Sequence, residues 1–213
     1  MYQRQKAEPT NSRFRVQAVN RHRLTTDGEG VTTLVALYGC PLSCKYCINQ
    51  KALQKPVWKE YTGEELWKLV AQDYCYFIAT GGGITFGGGE SLLHADAIRD
   101  FQAILPEGVY ITLETSLWAE AAELDKVLPA AKGLIIDIKT MNPKLYEAYT
   151  GQTNEKVLEN LNYIVSQKMQ DKCKIRIPYI AGYNDEADVQ HSVNIIRNMG
   201  YTNIEVFSYR VPE

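Results

Sequence analysis

The sequence predicts an α/β fold built on a mainly parallel sheet, and three observations carry that prediction. β-Branched apolar runs alternate with amphipathic segments of helical period along the chain. Six such runs are separated by segments long enough to bring the chain back for a parallel neighbour. Polar and charged residues gather at the C-terminal ends of these runs, where this architecture places its chemistry. Two arrangements satisfy the pattern, an open doubly wound sheet and a curved partial (β/α) barrel. Six units are too few for a closed eight-stranded barrel.

Residues 1–24 read as an N-terminal extension with one strand expected at 14–19, and residues 25–213 as the main domain. The first main strand is 32–38 (TTLVALY), apolar and β-branched. Thr62 and Glu65 have capping-box spacing, so 62–76 is expected as one amphipathic helix. A short strand at 83–86 runs into glycines, and a helix follows at 92–105. Strands at 109–114 (VYITLE) and 134–138 (LIIDI) flank a helix at 119–128. A helix at 155–168 leads to a strand at 174–180 (KIRIPYI). The last helix, 185–198, is capped by Asn184 or Asp185 and precedes the final strand at 204–209. No repeat, low-complexity tract or linker interrupts this order.

Composition narrows the function classes. Hydrophobic residues make up 45% and charged residues 23% of the 213, an ordinary soluble balance. The net charge of −2 gives no electrostatic case for nucleic acid or an anionic membrane as main partner. No apolar run approaches the roughly 20 residues of a membrane span. The polar start of the chain lacks the apolar core of a signal peptide, so a cytoplasmic protein is expected. An odd number of cysteines, five, argues against a disulfide framework. Cys75 and Cys173 read as small core residues.

The other three, Cys40, Cys44 and Cys47, crowd into one loop after the first main strand. Three thiolates there can converge on one metal centre. An iron–sulfur cubane takes one cysteine per iron, so three ligands leave one iron open to a substrate. A structural zinc site is the alternative, but zinc wants a fourth Cys or His, and no second Cys-x-x-Cys pair or suitably spaced histidine exists. Further polar residues fall at the ends of the following strands. Gly87-Gly88-Gly89-Glu90 follows the second, Glu114 and Thr115 end the third, and Asp137 and Lys139 end the fourth. Arg176 lies in the fifth, and Tyr209 and Arg210 end the sixth. Glycines let backbone approach a ligand closely, and a carboxylate such as Glu90 can accept from an ammonium group.

The pattern Cys-x-x-x-Cys-x-aromatic-Cys resembles the signature of the radical S-adenosylmethionine (SAM) superfamily, and Phe86-Gly87-Gly88-Gly89-Glu90-Ser91 resembles its Gly-Gly-Glu motif. The resemblance implies a partial six-stranded barrel and one 4Fe–4S cluster on Cys40, Cys44 and Cys47. It also implies SAM bound at the open iron and cleaved to a 5′-deoxyadenosyl radical. Tyr46 is the implied packing partner of the adenine; Gly88, Gly89, Glu90, Glu114, Thr115, Asp137, Lys139 and Arg176 are the implied contacts to SAM or to a monovalent cation beside it. Within the superfamily the chain looks most like the activating enzymes of glycyl radical enzymes, of the pyruvate formate-lyase type. Asp27-Gly28-Glu29-Gly30 resembles a stretch that reads Asp-Gly-Pro-Gly in many of them, which makes Asp27, Gly28 and Gly30 the implied substrate-loop residues. Glu29 departs from that pattern, and Arg210 stands where the pyruvate formate-lyase type has a histidine. The loop between Cys47 and Gly81 has no further cysteine but Cys75, so a single cluster is expected. The implied partners are a glycyl radical enzyme as protein substrate and a flavodoxin or ferredoxin as electron donor, in an anaerobic setting.

Overall fold

Eight strands form one sheet in the computed structural model, which describes residues 12–24 and 26–209. Arg210 lies outside these described residues. In chain order the strands are β1 (Phe14–Leu24), β2 (Val31–Leu37), β3 (Lys59–Tyr61), β4 (Gly83–Gly88), β5 (Tyr110–Thr115), β6 (Gly133–Asp137), β7 (Cys173–Tyr179) and β8 (Ile204–Ser208). The helices are α1 (Gln50–Gln54), α2 (Gly63–Val70), α3 (Tyr74–Thr80), α4 (Ala95–Gln102), α5 (Ala121–Val127), α6 (Pro143–Thr150), α7 (Glu155–Ser166) and α8 (Glu186–Asn198). The spatial order is β3-β1-β2-β4-β5-β6-β7-β8, with β2 and β4 to β8 parallel. These are the six expected strands. β1 and β3 add two antiparallel strands on one edge. Edges β3 and β8 do not pair, so the sheet stays open, as a partial barrel requires.

Alternation along the strands sorts the residues between two faces. Val35, Ile84, Phe86, Ile111, Leu113, Ile136 and Ile175 lie under the helices, each at most 1% exposed. Leu66, Phe101, Leu124, Leu161 and Ile196 close over them from α2, α4, α5, α7 and α8. Burying one such side chain stabilises the fold by about 1.5–3 kcal/mol. The other pleat carries Thr85, Thr112, Glu114, Asp137 and Arg176, the polar face on which chemistry can be built.

Four expectations are corrected. The helix expected at 62–76 breaks: α2 passes through a 3-10 turn, Ala71–Asp73, into α3. The cause is Asp73, whose buried carboxylate accepts from Arg21 Nε at 2.9 Å and Thr33 Oγ1 at 2.6 Å. A buried carboxylate needs such partners, and reaching them turns the helix. The helix expected at 92–105 begins as a 3-10 turn, Ser91–His94, and becomes α-helical only over α4. β1 runs five residues past the expected end, because it pairs with β2 as far as Leu24. Cys75 is exposed on α3, whereas Cys173 is buried as expected.

α6 was not legible as an element. Its N-cap is Asn142, whose side chain accepts from Lys144 N and Leu145 N, with Pro143 at the first helical position and Gly151 left-handed at the C-cap. Each of those residues is a standard helix boundary signal. Among the described residues no helix is long and apolar enough to cross a membrane.

Candidate active site

The cysteine loop leaves the C-terminal end of β2 through Gly39, whose φ of +103° suits glycine. Hydrogen bonds fix it on two sides. Glu90 N donates to Gly39 O at 2.8 Å, and Asn49 Nδ2 donates to Gly88 O at 2.8 Å, tying it to β4. Ser43 N donates to Thr150 O at 2.8 Å and Lys45 N to Tyr149 O at 3.1 Å, tying it to α6. A Cβ on Gly89 would collide with Gly39 O, so the last glycine of the run before Glu90 is what lets the two loops touch.

The three thiols are half-buried. Among the described residues no three His, Cys, Asp or Glu side chains are already grouped as ligands of a metal ion. Three thiols in one loop supply the one-thiolate-per-iron ligation of three irons of a cubane. Burial pushes the Cys40 thiol up to about 12, and a bound metal would favour its thiolate. Beneath the loop, Tyr146 of α6 is 1% exposed and its hydroxyl has no protein partner. A buried donor of this kind fits a bound group with acceptor atoms. Cys40, Cys44 and Cys47 are therefore the residues that would hold an iron–sulfur cluster.

Glu90 is fully enclosed. Its Oε1 accepts from Thr115 Oγ1 at 2.5 Å and Leu92 N at 3.1 Å; its Oε2 accepts from Ser116 N at 2.9 Å and Ser116 Oγ at 2.6 Å. Burial holds its carboxyl above the ordinary range despite these donors. Glu90 and Thr115 are thus paired with each other and lock the end of β5 to the glycine run.

Glu114, Asp137, Lys139 and Arg176 come together from β5, β6 and β7. Arg176 Nε donates to Asp137 Oδ1 at 2.6 Å and Arg176 Nη2 to Glu114 Oε1 at 3.3 Å. Lys139 Nζ lies 3.4 Å from Asp137 Oδ2 and 5.9 Å from the Tyr209 ring centroid. Burial raises the Glu114 carboxyl to about 7, the Asp137 charge adding to this and Arg176 opposing it. Burial acts on Asp137 in the same sense, but Lys139 and Arg176 overcome it and hold that carboxyl below its ordinary range. Burial is the largest influence on Lys139 and lowers it, but Asp137, Cys44 and Tyr209 together hold it above its ordinary value. A Cβ on Gly87 would collide with Glu114 Oε2, so the first glycine of the run clears space for this carboxylate. The cluster presents both signs of charge to whatever lies on the rim, which suits a zwitterion.

Tyr46 packs edge-on against Tyr149 at 6.1 Å and Tyr183 at 5.6 Å between ring centroids. Tyr183 follows Gly182, whose φ is +81°, in a turn stapled by Asn184 Oδ1 accepting from Ile180 N at 2.6 Å. This aromatic wall stands beside the third cysteine. The Asp27 loop lies elsewhere, against the polar face of the sheet. Thr85 Oγ1 donates to Asp27 O, and a Cβ on Gly28 would lie 3.1 Å from Thr112 Oγ1. Asp27 is buried and paired with Arg23. Gly28 and Gly30, with φ of +129° and +67°, use their freedom in the chain's own packing. Tyr149 and Thr150, which support the cysteine loop, escaped the sequence reading together with α6.

Three comparisons bear on this geometry. A family model described as the radical SAM superfamily matches residues 34–192. The pyruvate formate-lyase 1-activating enzyme of Escherichia coli strain K12 is 31% identical over 190 residues, covering 87% of this chain and 76% of that protein. The (2S)-3-sulfopropanediol dehydratase activating enzyme of Klebsiella oxytoca is 34% identical over 142 residues, covering 66% of this chain and 44% of that protein. Among solved structures, coproporphyrinogen III oxidase of Escherichia coli, a radical SAM enzyme, superposes with a TM-score of 0.57 at 14% identity, covering 83% of this chain and 43% of that one. That last likeness concerns the fold alone.

Proposed function

Because the chain belongs to the radical SAM superfamily, we propose that it is a glycyl radical enzyme activating enzyme, one that takes a hydrogen atom from a glycine of a partner enzyme. The observation that carries this reading is the cysteine loop pinned against the Gly-Gly-Glu run, with a two-sign charge cluster on the neighbouring strand ends. When bound, a 4Fe–4S cluster and SAM supply reductive cleavage and a 5′-deoxyadenosyl radical.

The chain's own residues bind and orient. Cys40, Cys44 and Cys47 hold the cluster. Gly88 and Gly89 offer backbone polar groups at the edge of the cysteine loop. Glu114 and Asp137 are the acceptors for the SAM ammonium, and Lys139 and Arg176 the donors for its carboxylate. Asp137 also suits a monovalent cation beside that carboxylate. Glu90 and Thr115 act one step back, holding the rim in register. Tyr46, with Tyr149 and Tyr183, forms the aromatic wall for the adenine. Asp27, Gly28 and Gly30 form the floor of the polar face, where a glycine-bearing loop of the partner reaches the radical. A lateral opening between unpaired edge strands suits a polypeptide loop better than an enclosed small molecule. A flavodoxin or ferredoxin is the electron donor.

The test is anaerobic electron paramagnetic resonance with candidate glycyl radical enzymes, any encoded beside this chain first among them. A glycyl signal is expected only when SAM and reductant are both present. Turnover of a free small molecule, with no glycyl signal from any such partner, overturns the activating reading.

A further inference from the structure

We propose that the basic, partly apolar surface beside the cysteine loop is the docking face for a small acidic electron-carrier protein. The inference rests on the reading above, since a cluster on Cys40, Cys44 and Cys47 must be reduced from outside. The exchange is one electron: the carrier's reduced flavin or iron–sulfur centre loses it and the cluster gains it, with no group transferred.

Charge is segregated to this face. Between Glu29 and Glu60 the chain has no acidic residue and four lysines, although the whole protein carries −2. Lys45, Lys51, Lys55 and Lys59 are all exposed. Apolar side chains are exposed among them, Ile48 at 73% and Val57 at 71%. An apolar centre with a charged rim is the usual anatomy of a protein interface.

The face is built on ordered structure. β3 pairs with β1, and Gln17 Nε2 of β1 donates to Ala52 O of α1 at 2.7 Å. Trp58 stacks on Tyr38 with centroids 4.4 Å apart, and the Arg15 guanidinium lies 5.7 Å and 5.8 Å from the two ring centroids. This platform abuts the cysteine loop. A Cβ on Gly39, the residue before Cys40, would stand 3.3 Å from Leu93 Cδ1 and 3.9 Å from Arg15 Nη2. Leu93 is itself 47% exposed. A carrier seated here would lie beside the cysteine loop.

Charge complementarity selects an acidic occupant, and long-range attraction suits a carrier that must arrive and leave at each turnover. Of the acids that follow in the chain, Glu60 lies in β3, Glu65 is engaged by Thr62 in its capping box, and Glu64 is exposed at the start of α2. The glycyl radical enzyme has a different target: its glycine must reach the polar face of the sheet above the Asp27 loop.

The experiment uses oxidised, cluster-loaded protein and oxidised flavodoxin as the probe. Calorimetry gives Kd at ionic strengths from about 20 to 200 mM, a range over which screening changes strongly. The wild type should weaken at least tenfold across it. The triple variant Lys51→Glu, Lys55→Glu, Lys59→Glu should bind at least tenfold more weakly at low salt and lose most of the salt dependence. Cluster reduction by reduced flavodoxin should slow in proportion, while reduction by dithionite, and SAM cleavage driven by it, stay at wild-type rates. A wild-type Kd independent of salt overturns the proposal, whatever the variant does. So does an unchanged Kd in the variant, or a variant that fails to form the glycyl radical with dithionite, which would assign the face to the partner enzyme. Wild-type protein that cleaves no SAM with either reductant would instead sink the activating reading beneath it.

Discussion

Glu90→Gln isolates the carboxylate that holds the rim together. The native side chain takes four donors, two on each oxygen, from Thr115, Leu92 and Ser116. Glutamine keeps the size but accepts at one end only. The Thr115 and Ser116 hydroxyls can rotate to accept from the new amide. The backbone N–H that faces it, Leu92 N or Ser116 N, cannot. One buried N–H without a partner costs about 1–3 kcal/mol, and release of a buried charge keeps the total in that range. Glu90→Ala leaves both N–H groups unpaired, at about 2–6 kcal/mol, and opens a cavity besides. Urea unfolding of cluster-free protein measures both values, and calorimetry measures SAM affinity in the loaded protein. The two variants should rank Ala below Gln below wild type in stability, with SAM affinity falling in the same order. A Glu90→Gln protein within about 0.5 kcal/mol of wild type, but with SAM binding lost, would refute the reasoning. Glu90 would then touch SAM directly.

Other outcomes follow from the same geometry. Cys44→Ala should drop iron from about four per chain to below one while the thermal unfolding transition persists, because the loop hangs on backbone bonds to Thr150 and Tyr149; retained iron and SAM cleavage would remove the cysteine assignment. Gly87→Ala puts a Cβ into the Glu114 carboxylate, so it should cost about 1–3 kcal/mol of stability and weaken SAM binding; unaltered SAM affinity would separate Glu114 from SAM. Glu114 gives a pH signature. Its folded value of about 7 lies above the ordinary 4.5, so its contribution to stability is complete below about 4.5 and is lost as pH rises through about 7. In cluster-free protein, wild type should lose up to about 3 kcal/mol relative to Glu114→Gln across that window, at about 1.4 kcal/mol per pH unit; parallel stability curves for the two proteins would contradict it.

The parallel strands were legible because each buries one continuous apolar face, which the local pattern reports directly. Cys40, Cys44 and Cys47 were legible because three thiols in one loop have few chemical explanations. The break at Asp73 was not, since the helical period runs through it and its partners Arg21 and Thr33 are remote in sequence. α6 escaped for another reason: it buries Tyr146 and Tyr149, and its eight residues are too short to declare a period, although Asn142, Pro143 and Gly151 mark its ends. Glu90 shows the limit at the site itself. Sequence places a carboxylate beside the glycines, but only the fold shows that Thr115 and Ser116 enclose it.

Hydrogen transfer from a partner glycine is the central claim, and isotope tracing tests it most directly. The partner glycyl radical enzyme would be made with deuterium at the glycine Cα and incubated anaerobically with this protein, SAM and reductant. Mass spectrometry should find 5′-deoxyadenosine carrying one deuterium, in step with the growth of the glycyl signal. 5′-Deoxyadenosine formed without deuterium, or none formed at all, would contradict the account.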